Sequence, residues 1–172
     1  SNLNINEKDL SDLDLNSSNI SFQTLKNVNF TRSDLSGVNF SGTILEGVNL
    51  KDANLSGANL EGVNLTTVDL SGVKSGNIAD GPTLSDEYKI ISGYIVGPKV
   101  DLSGADLSDV NLTGMDLSEV NLSNADLSGA TLTNVASRGI EGTPSTLPEG
   151  YQIIGGFILA TQQKYLLFGL VV

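Results

Sequence analysis

Apolar residues return at every fifth position along most of this chain. From Ile5 the series runs Leu10, Leu15, Ile20, Leu25, Phe30, Leu35, Phe40, Leu45, Leu50, Leu55, Leu60, Leu65 and Leu70 without a polar interruption, and a second series runs from Leu102 to Leu132. Neither ordinary element has this period. Five residues of α-helix advance by about 140°, which scatters the leucines around the cylinder. An odd step along a strand sends alternate leucines to opposite faces. A chain that turns a corner every five residues aims all of them at one axis. Two residues before each leucine lies a smaller apolar column, including Val28, Val38, Val48, Ala53, Ala58 and Val63, then Ala105, Val120 and Ala125. Its size suits a position beside an axis that is already filled. Asn or Asp precedes nearly every leucine, Ser or Thr often follows, and Gly favours the last place, as at Gly37, Gly42 and Gly47. Gly there, or the Asp or Asn that substitutes for it, tolerates the positive φ that a tight turn needs. The pattern predicts a coil with two inward and three outward positions on each side.

The unit, roughly A/V-D/N-L-S/T-G, resembles the repeat of the pentapeptide-repeat protein family, and DANLSGANL (52–60) and GADLSDVNL (104–112) are close to that consensus. The resemblance implies an all-β fold, a right-handed quadrilateral β-helix with four five-residue sides per coil; periodicity alone leaves three sides or four open. With four sides, residues twenty apart stack about 4.8 Å from one another, as in a sheet. Leu50 is then expected between Phe30 and Leu70, and Phe30 and Phe40 are expected to face each other within one coil. Each coil leans only on its neighbours, and the two ends are edges that need a cover. Lys8 and Gln23 fall on inward positions, so the first coil is expected to fray or to pair with another molecule.

The phase slips between the two series. VKSGNIADGPTLSDEYKIISGYIVGPKV (73–100) has a counterpart in VASRGIEGTPSTLPEGYQIIGGFILA (135–160), and YKIISGYIVG matches YQIIGGFILA at half its positions. The chain reads as one β-helix domain over 1–172, built as a two-module array. The first coil block spans 1–72, an excursion 73–99, the second block 100–135 and a second excursion 136–160. Each excursion carries two short apolar runs around Ser92-Gly93 or Gly155-Gly156, a hairpin signature. The alternative keeps those runs as two sides of the coil, with only about Asn77 to Glu87 and Glu141 to Gly150 protruding. The direct flow of GYIVGPKVDL into the next block favours this second reading. Residues 161–172 are expected to cap the last coil or to make a subunit contact through Tyr165, Leu166, Leu167, Phe168 and Leu170.

Composition narrows the chemistry. The 172 residues contain no cysteine and no histidine, which removes Ser–His and Cys–His nucleophiles, zinc sites of the usual ligands and thiol redox centres. Paired carboxylates can hydrolyse glycosides, but such clefts also use aromatic platforms, and tryptophan is absent here. The Gly-Gly-x-Gly-x-Asp nonapeptide of calcium-binding β-rolls is missing, and no wall repeats one residue type as ice or mineral binding would require. No enzyme activity, metal or cofactor is therefore expected. No stretch suits a membrane span, and no signal sequence is visible. The chain does not begin with Met, so a processed or excerpted product is expected, in the cytoplasm or in a periplasm-like or lumen-like space.

The formal net charge is −11, which disfavours direct binding to nucleic acid. Six acids, Asp101, Asp106, Asp109, Asp116, Glu119 and Asp126, fall between Val100 and Ser137 with no Lys or Arg among them. They form the candidate acidic interaction surface, with Asp106 and Asp126 stacked on one wall. The function expected is a non-catalytic scaffold that presents its walls and two loops to a protein partner. The alternative, implied by the family resemblance, is an acidic DNA mimic acting on a type II topoisomerase such as gyrase. A homodimer through the C-terminal segment or an open coil end would accompany either.

Overall fold

A computed structural model describes residues 4–79 and 81–161, so Tyr165, Leu166, Leu167, Phe168 and Leu170 lie outside the described residues. The backbone enters the left-handed region at the end of most five-residue sides, as at Asp12 (φ 58°), Gly37 (φ 65°), Gly42 (φ 64°) and Gly47 (φ 64°). Each such residue turns the chain onto the next wall.

Parallel bridges then join residues twenty apart in four columns. The first wall carries Asp9, Asn29 and Asn49, and further along Asp116 and Ala136. The second is unbroken through seven tiers: Asp14, Asp34, Asn54, Lys74, Asp101, Asn121 and Glu141. The third carries Asn19, Asn39 and Asn59, then Asp106, Asp126 and Thr146, and the fourth pairs Asn64 with Thr83 and Asn111 with Thr131. Corners come so often that most sides pair through one central residue. On the fourth wall only, among the described residues, do sides lengthen into the parallel strands β1 (Thr24–Lys26) and β2 (Ile44–Glu46), with Leu25 opposite Leu45. The fold is the right-handed quadrilateral β-helix anticipated from the sequence.

The leucine column lines a dry axis: Leu35, Leu55, Leu107, Leu112, Leu117, Leu122 and Leu127 are fully buried. Phe30 and Phe40 meet edge to face, with ring centroids 6.4 Å apart, a favoured aromatic arrangement. The Asn or Asp before each leucine has a specific task. Its side-chain oxygen accepts the amide two residues on, as from Ser11 to Asp9 (3.1 Å), Ser56 to Asn54 (3.1 Å) and Ser123 to Asn121 (3.0 Å). This Asx turn holds the backbone at the approach to the corner. Amides of the same residue type tie tiers together, Asn29 Nδ2 donating to Asp9 Oδ1 (2.9 Å) and Asn54 Nδ2 to Asp34 Oδ1 (3.0 Å).

The first coil is fully laddered to the second, with Leu10 N donating to Asn29 O (2.8 Å) and Asn29 N to Lys8 O (3.0 Å). Lys8 is exposed and Gln23 half-buried. Ile5, Leu10, Leu15 and Ile20 stay half-buried around a cavity of ≈ 390 Å³ whose far wall includes Phe30 and Leu35.

The preferred reading of the excursions is corrected. The apolar runs do not continue as sides of the coil; they fold as antiparallel hairpins. β3 (Lys89–Ile91) pairs with β4 (Tyr94–Val96), and β5 (Tyr151–Ile154) with β6 (Phe157–Ala160). Gly93 (φ 79°) and Gly156 (φ 80°) lie in the turns, which need residues in that region. The stretches expected to protrude instead remain partly in the coil, since Thr83 pairs with Asn64, Glu141 with Asn121 and Thr146 with Asp126. The coil thus runs past residue 72, where the first block was expected to end.

The first hairpin stands between Thr83 on the fourth wall and Asp101 on the second, in the place of one first-wall side. Lys74 consequently meets Asp101 after twenty-seven residues instead of twenty. The second hairpin follows Thr146, on the third wall. The two insertions therefore begin on adjacent walls, a quarter turn apart.

Candidate interaction surface

The six acids of the second block do not share a face. Asp101 lies on the second wall, where it accepts Ser103 N (2.9 Å) and Asn121 Nδ2 (2.9 Å). Asp106 and Asp126 stack on the third wall as expected. Asp116 lies on the first wall, and Asp109 and Glu119 occupy corners at φ 56° and 59°. Much of their acceptor capacity is turned back on the chain. The Ser108 hydroxyl (2.6 Å) and amide hold the Asp106 carboxyl below the usual carboxylate range. The Thr146 hydroxyl, then the Ser128 amide and hydroxyl, do the same for Asp126. A general acid needs the opposite shift. No group of three metal-ligating side chains occurs among the described residues.

Glu119 is not a bare acid either. Lys99 and Arg138, just outside the window that looked free of cations, approach it at 3.8 Å and 3.9 Å. Sequence distance concealed this, because the acid's neighbours are one tier away on each side.

These residues belong to the corner between the first and second walls, which differs from the other three. Asp12, Arg32, Asp52, Gly72, Lys99 and Glu119 follow one another there, each in the left-handed region. One continuous ladder joins them: Asp12 N to Thr31 O, Arg32 N to Lys51 O, Asp52 N to Ser71 O, Gly72 N to Lys99 O, Lys99 N to Ser118 O and Glu119 N to Arg138 O, all between 2.7 and 3.0 Å. Arg32 grips Asp12 with two parallel bonds, Nε to Oδ1 at 2.7 Å and Nη2 to Oδ2 at 2.6 Å. That contact lowers the Asp12 pKa and raises that of Arg32. At Gly72 the row of side chains is interrupted, and a groove of ≈ 580 Å³ opens, lined among others by Lys51, Asp52, Lys99, Asp101, Glu119 and Glu141. The periodic pattern marks Gly, with Asp or Asn as substitutes, as the corner residue; the charged residues recurring in that last place, Arg32, Lys99 and Glu119 among them, were the available signal for this row.

Residues 33–72 and 99–134 match the family model "Pentapeptide repeats" in eight copies. No curated protein matches the chain. Among solved structures, a pentapeptide repeat protein from the thylakoid lumen of Arabidopsis thaliana is 27% identical over 72% of this chain, at a TM-score of 0.27, and the chain spans 63% of its length. HetL, from the cyanobacterium Nostoc sp. strain PCC 7120 and involved in heterocyst differentiation regulation, is 22% identical over 78% of this chain and 87% of its own, at a TM-score of 0.28. QnrB1, a plasmid-mediated fluoroquinolone resistance protein, is 18% identical over 76% of this chain and 70% of its own, at a TM-score of 0.33.

Proposed function

The chain is a pentapeptide-repeat protein, and we propose that it is a non-catalytic scaffold that holds a protein partner against its outward walls. The inward half of every side is spent on the core, and the Asx oxygens are spent on the chain's own amides. Recognition is left to the remaining outward residues and the corners. The observation that carries the reading is the groove at Gly72, an opening of ≈ 580 Å³ lined by charges of both signs. A partner segment of mixed charge fits it, its cations toward Asp101 and Glu141 and its acids toward Lys51 and Lys99.

The DNA-mimic reading is less well supported. A mimic needs its acids in rows along one side of a smooth rod, whereas these six are spread over three walls and two corners, with two hairpins inserted. Site-specific photocrosslinking separates the readings. A probe at Ser71, beside the groove, is expected to capture a protein adduct that excess unlabelled chain competes away, while a probe at Thr133 on the fourth wall captures none. Equal labelling from both positions overturns the groove reading. Inhibition or protection of gyrase supercoiling by micromolar protein would replace the scaffold with the mimic.

A further inference from the structure

We propose that two copies of this chain associate side by side and antiparallel, through the charged corner between the first and second walls. The argument is the order of charge along that corner. Counting tiers outward from Gly72, Asp52 and Lys99 lie one tier to either side, and Arg32 and Glu119 two tiers. Each of these couples joins opposite signs. A two-fold axis through Gly72 therefore sets Asp52 of one copy against Lys99 of the other, and Arg32 against Glu119. Each contact occurs twice by symmetry, as an isologous interface requires. Because the same spacing of about 4.8 Å separates tiers in both copies, the contacts stay in register along the row.

Two further observations agree with a selected surface. Arg32 (φ 58°), Lys99 (φ 63°) and Glu119 (φ 59°) hold long side chains in a conformation that L-residues avoid and that glycine supplies at Gly57, Gly62, Gly104 and Gly114. The row also survives the insertion of the first hairpin, which adds seven residues between Lys74 and Asp101 yet leaves the ladder from Gly72 to Lys99 intact at 2.7 Å. The contact is a narrow edge, smaller than a standard stable interface, so the association is weak. Specificity comes from the order of signs, since a parallel or shifted pairing places like charges together. The seam covers the groove at Gly72, so self-association and capture of a separate partner exclude one another, and association needs no molecule but this chain.

Sedimentation equilibrium on the full chain tests it. The unaltered protein is expected to show a reversible monomer–dimer equilibrium. Arg32→Glu and Glu119→Arg are each expected to raise the dissociation constant at least about tenfold, through like charges brought together. An equimolar mixture of the two variants is expected to recover dimer, because the reversed acid of one copy then meets the reversed base of the other. Each variant's circular dichroism and melting curve are recorded alone, and mixing cannot repair an internal defect. A monomer at every concentration overturns the proposal. So does a dimer indifferent to both substitutions, or a mixture that fails to recover.

Discussion

The hydroxyl of Ser75 accepts the backbone amide of Ile95 at 2.9 Å, and sixty-odd residues later Ser137 does the same for Ile158 at 2.9 Å. A second pair of contacts repeats beside them, Ile78 N donating to Gly93 O and Ile140 N to Gly156 O, both at 2.9 Å. Each hairpin is thus latched to the coil side that precedes it by a serine on the side and a glycine in the turn. The first latch is sealed, with Ser75 and Ile95 both buried; at the second, Ser137 is only half-buried.

Ser75→Ala removes the acceptor and leaves a buried amide without a partner. A loss of about 1–3 kcal/mol is expected, read from urea denaturation, with faster hydrogen exchange at the Ile95 amide. Ser137→Ala should have the smaller effect, since water reaches that site. Equal losses at both positions would show that burial does not set the strength of the latch.

Leu55 is fully buried on the axis and Ser56, the next residue, faces outward. Leu55→Asp puts an unpaired charge into the dry column and is expected to prevent folding, at a cost of several kcal/mol. Ser56→Asp should be nearly silent. Similar thermal melts for the two variants would contradict the inward assignment.

Two glycines at positive φ separate conformational strain from crowding. Around Gly104 (φ 70°) a methyl group would meet nothing within 4 Å, so Gly104→Ala is expected to cost about 1 kcal/mol from backbone conformation alone. At Gly93 (φ 79°) the methyl would lie 3.1 Å from Asn77 N and 3.2 Å from Asn77 Cα, backbone atoms that cannot swing aside. Gly93→Ala should cost at least about twice as much, with the difference read from denaturation midpoints.

Acid should loosen the coil through its Asx turns. The hydroxyls of Ser11, Ser36, Ser71 and Ser108 hold the carboxyls of Asp9, Asp34, Asp69 and Asp106 below the ordinary aspartate value, and Thr146 does so for Asp126. A depressed folded pKa adds stability above the unfolded value and loses it as pH falls through the folded one. The urea midpoint is therefore expected to stay level from neutral pH down to about 5, then to drop below about 4. A midpoint that rises across that lower range would refute the assignment.

The fold was legible because a five-residue period admits few backbones: every leucine from Leu25 onward in the first series, Leu45 excepted, is buried, and the Phe30–Phe40 contact followed from the count once the family resemblance supplied four sides. The hairpins were harder. Ser92-Gly93 and Gly155-Gly156 announced turns, yet Ile95 and Val96 are buried as deeply as any coil residue, so hydrophobicity could not tell a latched hairpin from two sides of the coil. The interaction surface was least legible. The acids run without a cation along the chain from Val100 to Ser137, while the coil stacks residues about twenty apart and so brings Lys99 and Arg138 onto Glu119 from either side of that interval.

The coil sides from Lys74 to Ala136 fall one short of three full turns, so the latch serine follows Lys74 on the second wall in one module and Ala136 on the first in the next. Repeated again, the same step would place successive hairpins like treads on a spiral stair. Any molecule that touches both hairpins at once must reach around the corner between two adjacent walls.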